Sequence, residues 1–333
     1  MIVKRPKVSV IMPIYNGEAF LTQAINSILT QSFTNFEFII INDASTDSTG
    51  QILADFAKKD SRIFVITNST NLKIARSLNR GIEIAKGEYI ARMDADDISL
   101  PHRLEKQVIF MDTHPEIGVS GTWMTIYGTQ EVWAPPLFDD NIKANLFFES
   151  CLYHPTIIMQ KKVINIADYD HEMLPAEDYN FWTKLAIHGD VKFANISEPL
   201  LEYRTCPQGT KQVYKLEQMV HANQVRKKLL AHIGLEPTKS EFDYHIALSY
   251  HEKAKDHDSL INCSKWLQKL QVANKKRQFV NSDILATECA ERLKTYGDNL
   301  FFLNRLKNAI APPQSLRRKV SLRIKNRIIG NNG

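Results

Sequence analysis

The first two-thirds of the chain alternates short apolar runs with segments in which apolar residues recur every three or four positions. Apolar runs of this length, bounded by turn residues, predict buried strands, and the three-to-four-residue recurrence predicts amphipathic helices. Strands are predicted at 8–15, 36–43 and 63–66, and helices at 18–31, 45–59 and 73–86. Strands linked by single helices at this spacing indicate an α/β fold with a parallel sheet joined by right-handed crossovers.

The same alternation continues, less regularly, to about residue 207. Further helices are predicted at 102–115, at 141–150 and from 176, and further strands at 118–128, 153–159, 191–194 and 200–204. From residue 208 strand signals become rare, and helices are predicted near 210–233, 239–256, 258–273, 281–296, 299–310 and 314–329. We therefore expect an α/β domain over 1–207 and a helical region over 208–333.

Composition restricts the class of protein. Hydrophobic residues make up 44% of the 333 residues, which is ordinary for a globular protein. No apolar run approaches the ~20 residues that cross a bilayer, and the start of the chain is too short and polar for a signal peptide. Cys151, Cys206, Cys263 and Cys289 have no paired spacing, so we expect reduced thiols and a cytoplasmic protein. The ten histidines show no zinc-type spacing.

Charge is concentrated at the C-terminal end. Eight basic residues and no acidic ones follow Asp298, while the rest of the chain has a slight acidic excess. Over 316–329, Leu316, Val320, Ile324 and Ile328 form an apolar stripe with basic flanks. This pattern predicts a basic amphipathic helix on an anionic membrane surface, so we expect a peripheral protein of the inner face. Packing on the protein itself, or on a protein partner, is the alternative; nucleic acid is not expected.

Segment 87–97 (GEYIARMDADD) is the strongest candidate for chemistry. It predicts a buried strand that ends in Asp94, Asp96 and Asp97. Carboxylates this close repel one another unless a cation lies among them, and ligands of open α/β sheets bind at the carboxyl ends of the strands. A divalent ion with a nucleotide phosphate is therefore expected here; the alternative is that the acids cap the following segment 98–101. No dinucleotide fingerprint and no P-loop motif occurs, so a dehydrogenase or P-loop kinase is not expected.

Several segments together resemble the inverting glycosyltransferases of family 2, which have the GT-A fold. The resembling segments are 8–18 (VSVIMPIYNGE), 40–47 (IINDASTD), 71–79 (NLKIARSLN), 91–97 (ARMDADD), 153–156 (YHPT) and 176–178 (AED). The last two are similar to elements of bacterial members that build surface polysaccharides. The resemblance covers about 6–205 and implies a Rossmann-like, mixed but mainly parallel sheet flanked by helices. It also implies a nucleotide-sugar half at about 1–100 and an acceptor half at about 101–207.

The resemblance implies a role for each matching residue. Pro13, Tyr15 and Glu18 would line the nucleotide pocket, Asp43 would accept a hydrogen bond from the base, and Arg76 would flank that base. Asp94 and Asp96 would bind ribose, diphosphate and a Mn²⁺ or Mg²⁺ ion, and Asp178 would be the catalytic base. Glu177, His154 and Arg204 would be accessory residues.

Each role has a structural alternative. Asp43 and Asp47 could cap helices, Glu18 could offset the dipole of a first turn, and Arg76 could simply be exposed. Glu177 and Asp178 could be the acidic start of a helix, and His154 could fix a strand end before a proline. The sequence also departs from the family, because Lys73 stands where glycine is common and Cys206 stands where many relatives have histidine.

The implied activity is transfer of a sugar from a nucleotide-diphosphate donor, UDP-hexose or UDP-N-acetylhexosamine, to a saccharide acceptor that is lipid-linked, in surface-polysaccharide assembly. A metal would offset the charge of the leaving diphosphate, and a single carboxylate base would give inversion. A nucleotidyltransferase, which would have a glycine-rich basic loop after the first strand, and a non-catalytic scaffold of a membrane polysaccharide complex remain as alternatives. A hydrolase would use two carboxylates flanking the bond, which leaves the N-terminal strands unexplained.

Overall fold

A single mixed sheet dominates the first part of the protein in a computed structural model that describes residues 5–205 and 214–298. Its described strands are β1 (Val8–Ile14), β2 (Phe36–Asn42), β3 (Ile63–Thr67), β4 (Tyr89–Arg92), β5 (Ile98–Ser99), β6 (Ile117–Ile126), β7 (Val132–Trp133), β8 (Ile158–Gln160) and β9 (Lys192–Tyr203). They lie in the order β3-β2-β1-β4-β8-β6-β9-β5, and β7 pairs with β6. The α/β class predicted from the sequence is confirmed.

Strands β3, β2, β1 and β4 run parallel, so their carboxyl ends meet at one edge. Ile14 at the end of β1 lies opposite Asn42 at the end of β2, and Ile11 lies opposite Arg92 at the end of β4. Beyond β4 the strand β8 is antiparallel, and β6 and β9 then pair parallel to each other. The sheet is therefore mixed, as the resemblance implies.

Helices cover the sheet and form a second region. The described helices are α1 (Leu21–Leu29), α2 (Thr49–Lys59), α3 (Lys73–Ile84), α4 (Arg103–Thr113), α5 (Asp139–Leu146), α6 (Glu177–His188), α7 (Lys215–His232), α8 (Lys239–Ser249), α9 (His257–Arg277) and α10 (Ser282–Gly297). The main core lies between β1, β2 and β4 and the inner faces of α1 and α4, where Met12, Phe38, Ile25 and Leu104 are fully buried. Burying such side chains contributes about 1.5–3 kcal/mol each.

The chain divides into two compact units. One comprises the described residues of 1–142 and 150–225, and the other those of 143–149 and 226–333. In the second unit Phe147 and Phe148 are fully buried among helices, and Arg292 forms ion pairs with Glu149 and Glu288. The boundary expected at 207–208 lies outside the described residues, as do Cys206 and the helices predicted at 299–310 and 314–329.

Local departures from the expected elements have local causes. Residues 154–156 form a 3-10 helix instead of the first half of a strand, because Pro155 has no N–H for a ladder. The segments 191–194 and 200–204 belong to one long strand, β9, whose pairing with β6 shifts register through irregularities. Helix α8 stops at Ser249, short of 256, because the backbone leaves the helical conformation at His251, with φ of 53°, before Asp256 caps α9.

Among the described helices, none combines the length and apolar character that a membrane crossing requires.

Candidate active site

The edge where β1, β2 and β4 end collects the residues singled out by the sequence. The N–H of Asp43 donates to the carbonyl of Ile14 at 2.8 Å, and the N–H of Met93 donates to the carbonyl of Ile11 at 3.1 Å. These bonds extend the parallel pairing by one step, so the segments that carry Tyr15, Asp43 and Asp94 leave the sheet side by side. Parallel sheets bind ligands at this edge.

Three carboxylates converge after β4. One oxygen each of Asp94, Asp96 and Asp97 lies within 4.8 Å of the others, and Asp97 is buried while the other two are half-buried. Burial, and then the charge of Asp94, raise the pKa of Asp96 to about 6. The same two causes, with the charge of Asp96, hold the pKa of Asp97 well above its usual range. The residues around the cluster therefore do not fully compensate its negative charge.

The cluster has the donor set of a divalent-ion site. Asp97 Oδ1 accepts a hydrogen bond from the Arg204 N–H at 2.9 Å, but its buried Oδ2 has no hydrogen-bond partner among the described residues. Carboxylate oxygens are the ligands that Mg²⁺ and Mn²⁺ prefer, and a bound cation would satisfy this oxygen and lower the repulsion. The residues present fit such an ion.

Arg204 fixes the loop that carries these carboxylates. Its Nε donates to the carbonyl of Asp96 at 2.9 Å, and Nη2 donates to Gln23 Oε1 at 2.9 Å. The guanidinium also lies over two aromatic rings, 4.3 Å from the centre of Phe20 and 4.0 Å from that of Tyr127. The two cation–π contacts and the hydrogen bonds hold this side chain in one place.

Asp43 is buried directly after β2, and its carboxylate contacts the start of α3. Its Oδ1 accepts from the Asn68 side chain at 2.6 Å and from the Leu72 N–H at 2.8 Å, and Oδ2 accepts from the Lys73 N–H at 2.8 Å. Lys73 adopts the left-handed backbone conformation, with φ of 67°. Glycine adopts this conformation more easily, which accounts for the glycine common at this position in the family.

The other nucleotide-side residues differ in exposure. Pro13 is buried in β1, and Tyr15 is half exposed beyond the end of that strand. Glu18 is exposed, and its Oε2 accepts from the Ser48 N–H at 2.9 Å, just before α2. Arg76 lies on the exposed side of α3. Glu18 thus has a structural contact, while contacts of all four with a nucleotide stay predictions.

Glu177 and Asp178 open helix α6. Glu177 is buried, and its Oε2 has no hydrogen-bond partner in the described part of the chain. Burial, followed by the charge of Asp178, raises the pKa of Glu177 to about 8. Asp178 is half-buried, and its Oδ1 accepts from the Tyr179 N–H at 2.7 Å. The two neighbours therefore differ in environment: Glu177 faces the interior and Asp178 reaches solvent.

His154 is buried and packs edge-on against Trp182 of helix α6. Its Nε2 is 2.9 Å from the Tyr169 hydroxyl, and the Tyr169 ring stacks on Phe181 at 4.5 Å. Burial, helped by the charge of Arg92, holds the pKa of His154 well below its usual range. His154 thus has a structural contact with Tyr169, while its accessory role at the site stays a prediction.

Known proteins resemble the chain in sequence. The description "Glycosyl transferase family 2" belongs to the family profile that matches residues 9–173. An uncharacterized glycosyltransferase of Haemophilus influenzae is 35% identical over 241 residues, which cover 67% of this chain and 73% of that protein. The O-antigen biosynthesis glycosyltransferase WbnJ of Escherichia coli is 31% identical over 202 residues, 59% of this chain and 79% of WbnJ. The chain belongs to glycosyltransferase family 2.

Solved structures agree with this glycosyltransferase in fold. S. aureus TarS 1-349 in complex with UDP-GlcNAc has a TM-score of 0.58 at 20% identity, covering 87% of this chain and 89% of that one. The mannosyltransferase PcManGT from Pyrobaculum calidifontis, in complex with GDP-Man and Mn2+, has a TM-score of 0.55 at 16% identity, covering 91% and 89%. At such identities the likeness shows the fold alone, which is the GT-A fold expected from the sequence.

The glycosyltransferase has one charged site residue that the sequence reasoning missed. Arg92, the last residue of β4, is buried and forms an ion pair with Asp94. Its charge also acts on Asp96, Asp97 and Glu177, where it offsets part of the rise in pKa that burial and neighbouring carboxylates cause. Arginine at the end of an otherwise apolar strand, two residues before a carboxylate cluster, is the signal that would have found it, because buried charges are paired.

Proposed function

We propose that this glycosyltransferase moves a sugar from a nucleoside diphosphate donor, UDP-hexose or UDP-N-acetylhexosamine, to a saccharide acceptor during surface-polysaccharide assembly. The observation that carries the proposal is the convergence of Asp94, Asp96 and Asp97 at the carboxyl end of β4, beside the strand ends of β1 and β2. Support for the donor and the pathway comes from relatives, TarS with its UDP-GlcNAc complex and WbnJ of O-antigen biosynthesis.

Asp94, Asp96 and Asp97 would hold a Mn²⁺ or Mg²⁺ ion. Such an ion, when bound, offsets the negative charge that gathers on the leaving diphosphate. Three hydrogen-bond donors fix the carboxylate of Asp43 at the strand edge, where this carboxylate would accept a hydrogen bond from the base. Uracil has an N–H on its pairing edge, so this carboxylate favours a uridine nucleotide over cytidine. Tyr15, Glu18, Pro13 and Arg76 would complete the nucleotide pocket.

Asp178 would remove the proton from the attacking acceptor hydroxyl. It is half-buried at the first turn of α6, whereas its neighbour Glu177 is buried and has a raised pKa. A buried, protonated Glu177 is a poor base, so base chemistry falls to the solvent-facing carboxylate. One base on the face of the sugar opposite the leaving group gives inversion of the anomeric centre.

The basic C-terminal segment would bring the enzyme to its acceptor. Residues 314–329 pair an apolar stripe with basic flanks in sequence, which suits the anionic inner face of a cell membrane. A lipid-linked acceptor at that face would then be within reach of a peripheral enzyme. This step rests on the sequence, since the segment lies outside the described residues.

A donor screen tests the proposal. The full chain is incubated with Mn²⁺ and, separately, UDP-GlcNAc, UDP-GalNAc, UDP-glucose, UDP-galactose and GDP-mannose, and free nucleoside diphosphate is measured. We expect release from a UDP-sugar that stops on addition of EDTA and is at least about 100-fold slower in Asp178→Asn. Release from GDP-mannose alone would overturn the uridine assignment, and release from none of the donors, with or without a polysaccharide-lipid extract as acceptor, would overturn the transfer reaction.

A further inference from the structure

Arg92 is the residue that the proposed reaction leaves without a role. It is the carboxyl-terminal residue of β4, is 4% exposed, and lies two positions before Asp94. Its backbone is held on both sides, because its N–H donates to the carbonyl of Ile157 at 2.9 Å and its carbonyl accepts from Arg103 Nη1 at 3.2 Å. Burying a charged guanidinium costs free energy unless an opposite charge lies close to it.

The aspartate cluster supplies this opposite charge. Nη1 of Arg92 forms an ion pair with Asp94, and the charges of Asp94 and Asp97 both favour the protonated guanidinium. The ion pair is a direct contact between the two charged groups, and Nε of Arg92 has no hydrogen-bond partner among the described residues. Arg92 therefore neutralises Asp94 from inside the protein.

The charges of Arg92 and Arg204 both act on Asp96, and Arg92 also pairs with Asp94. A divalent ion would add further positive charge from solvent. Like charges at a few ångströms oppose each other strongly in a site of low effective dielectric. Arg103, also fully buried, donates from Nη1 to the carbonyls of Arg92 and Pro155, so it holds the backbone that carries Arg92.

We propose that Arg92 is a built-in counterion of Asp94 with which a divalent cation must compete, so that this arginine weakens and thereby sets the metal affinity of the aspartate cluster. The inference rests on the proposed function only in taking that cluster as a cation site. An arginine that merely orients Asp94 for the metal would have the opposite effect when removed, which makes the sign of the change decisive.

The test measures Mn²⁺ binding to the full chain by electron paramagnetic resonance of free Mn²⁺, counting only the binding that Asp96→Asn abolishes. We expect Arg92→Gln to bind Mn²⁺ about tenfold or more tightly than the wild type, from the loss of one nearby unit charge. Arg92→Lys keeps the charge and should stay within about threefold of the wild type. Arg292→Gln removes a buried, ion-paired arginine of the helical unit and should leave Mn²⁺ binding unchanged.

Unchanged or weaker Mn²⁺ binding by Arg92→Gln would overturn the proposal. If that variant does not fold, Asp94→Asn is compared with the double variant Arg92→Gln/Asp94→Asn, which removes the buried pair together. Because Arg92 also acts on Asp96 and Asp97, the double variant should bind Mn²⁺ more tightly than Asp94→Asn, and equal or weaker binding would overturn the proposal in this form too. Sugar transfer is assayed separately. The expected order of Mn²⁺ affinities can therefore hold even if the chain transfers no sugar, and sugar transfer can be observed even if that order is not.

Discussion

The Nε of Arg204 donates to the carbonyl of Asp96 at 2.9 Å, across 108 residues of sequence. This bond ties the end of β9 to the loop after β4, and cation–π contacts with the rings of Phe20 and Tyr127 help to hold the guanidinium there. The carboxylates of that loop are thus held by a residue that lies outside the cluster.

Arg204→Met should lower both stability and donor binding. Loss of charged hydrogen bonds to Asp96 and Gln23, discounted for partial exposure, predicts a fall of about 1–2 kcal/mol in the free energy of unfolding. A loosened loop should also weaken Mn²⁺-dependent UDP binding by about tenfold, measured by calorimetry. Arg62→Met is a matched control, because Arg62 also stacks on a ring, Phe36, and binds a carbonyl, that of Leu29. It should lower stability alone; equal UDP affinities in both variants would contradict the prediction.

Asp96→Asn should abolish the coupling between metal and nucleotide. Asp96 supplies one of three carboxylates that converge within 4.8 Å, and an amide is a poorer ligand for a hard divalent ion. Calorimetry of UDP with and without Mn²⁺ should show metal-dependent binding in the wild type and its loss in the variant. Asp55→Asn, a half-exposed residue of α2, should behave as the wild type does. Retention of metal-dependent binding in Asp96→Asn would show that this residue is not a ligand.

Removal of the basic C-terminal segment should release the protein from anionic membranes. Each basic residue near an anionic surface contributes about 1 kcal/mol, so a truncation after Pro313 should lose most binding to anionic liposomes. Co-sedimentation of the full chain and the truncated chain with anionic and neutral liposomes measures this. Equal recovery of both proteins on anionic liposomes would assign the segment to packing on the protein or on a protein partner.

What the sequence could predict depends on how far apart the interacting residues lie. The strand ends that carry Tyr15, Asp43 and Asp94 follow from short apolar runs, and the aspartates that converge are adjacent in sequence. Lys73 departs from the glycine that is common at this position in the family, but its left-handed backbone conformation cannot be predicted from the residues next to it in sequence. The environment of Arg204 combines α1, the loop after β4 and the end of β6, a juxtaposition that no local pattern encodes. The strand predicted at 153–159 is wrong in its first half, because Pro155 cannot donate a ladder hydrogen bond and the backbone turns into a 3-10 helix.

Asp178→Asn should lose turnover while donor binding persists. General-base catalysis contributes about 10²–10⁴-fold, so kcat should fall by at least about 100-fold with little change in the affinity for UDP. Rates of UDP release and calorimetric UDP affinity are measured on the same preparations. Asp190→Asn, a highly exposed residue just beyond α6, serves as the control and should keep full turnover. Lost UDP binding with normal turnover at saturating donor would make Asp178 a binding residue.

Glu177 should make stability fall as pH rises. Its pKa is about 8 in the folded protein, against about 4.3 in an unfolded chain, so between these values the folded state holds a proton that the unfolded state has lost. The contribution of this group to stability is therefore complete below about pH 4.3 and is lost progressively up to about pH 8. Glutamine resembles the protonated carboxyl and does not titrate, so Glu177→Gln should lack this loss.

Urea unfolding of the wild type and Glu177→Gln between pH 5 and 9, with EDTA present, measures the difference. Asp96 and Asp97 also have raised pKa values, but they remain in both proteins, so to first order the difference in free energy of unfolding isolates Glu177. The free energy of unfolding of Glu177→Gln should rise relative to that of the wild type as pH rises, and the difference should level off above about pH 8. Glu172→Gln, an exposed acid near α6, should show no such trend. A difference that stays constant across the range would mean that Glu177 is already charged in the folded protein, and Asp178 would then not be the better-placed base on grounds of protonation.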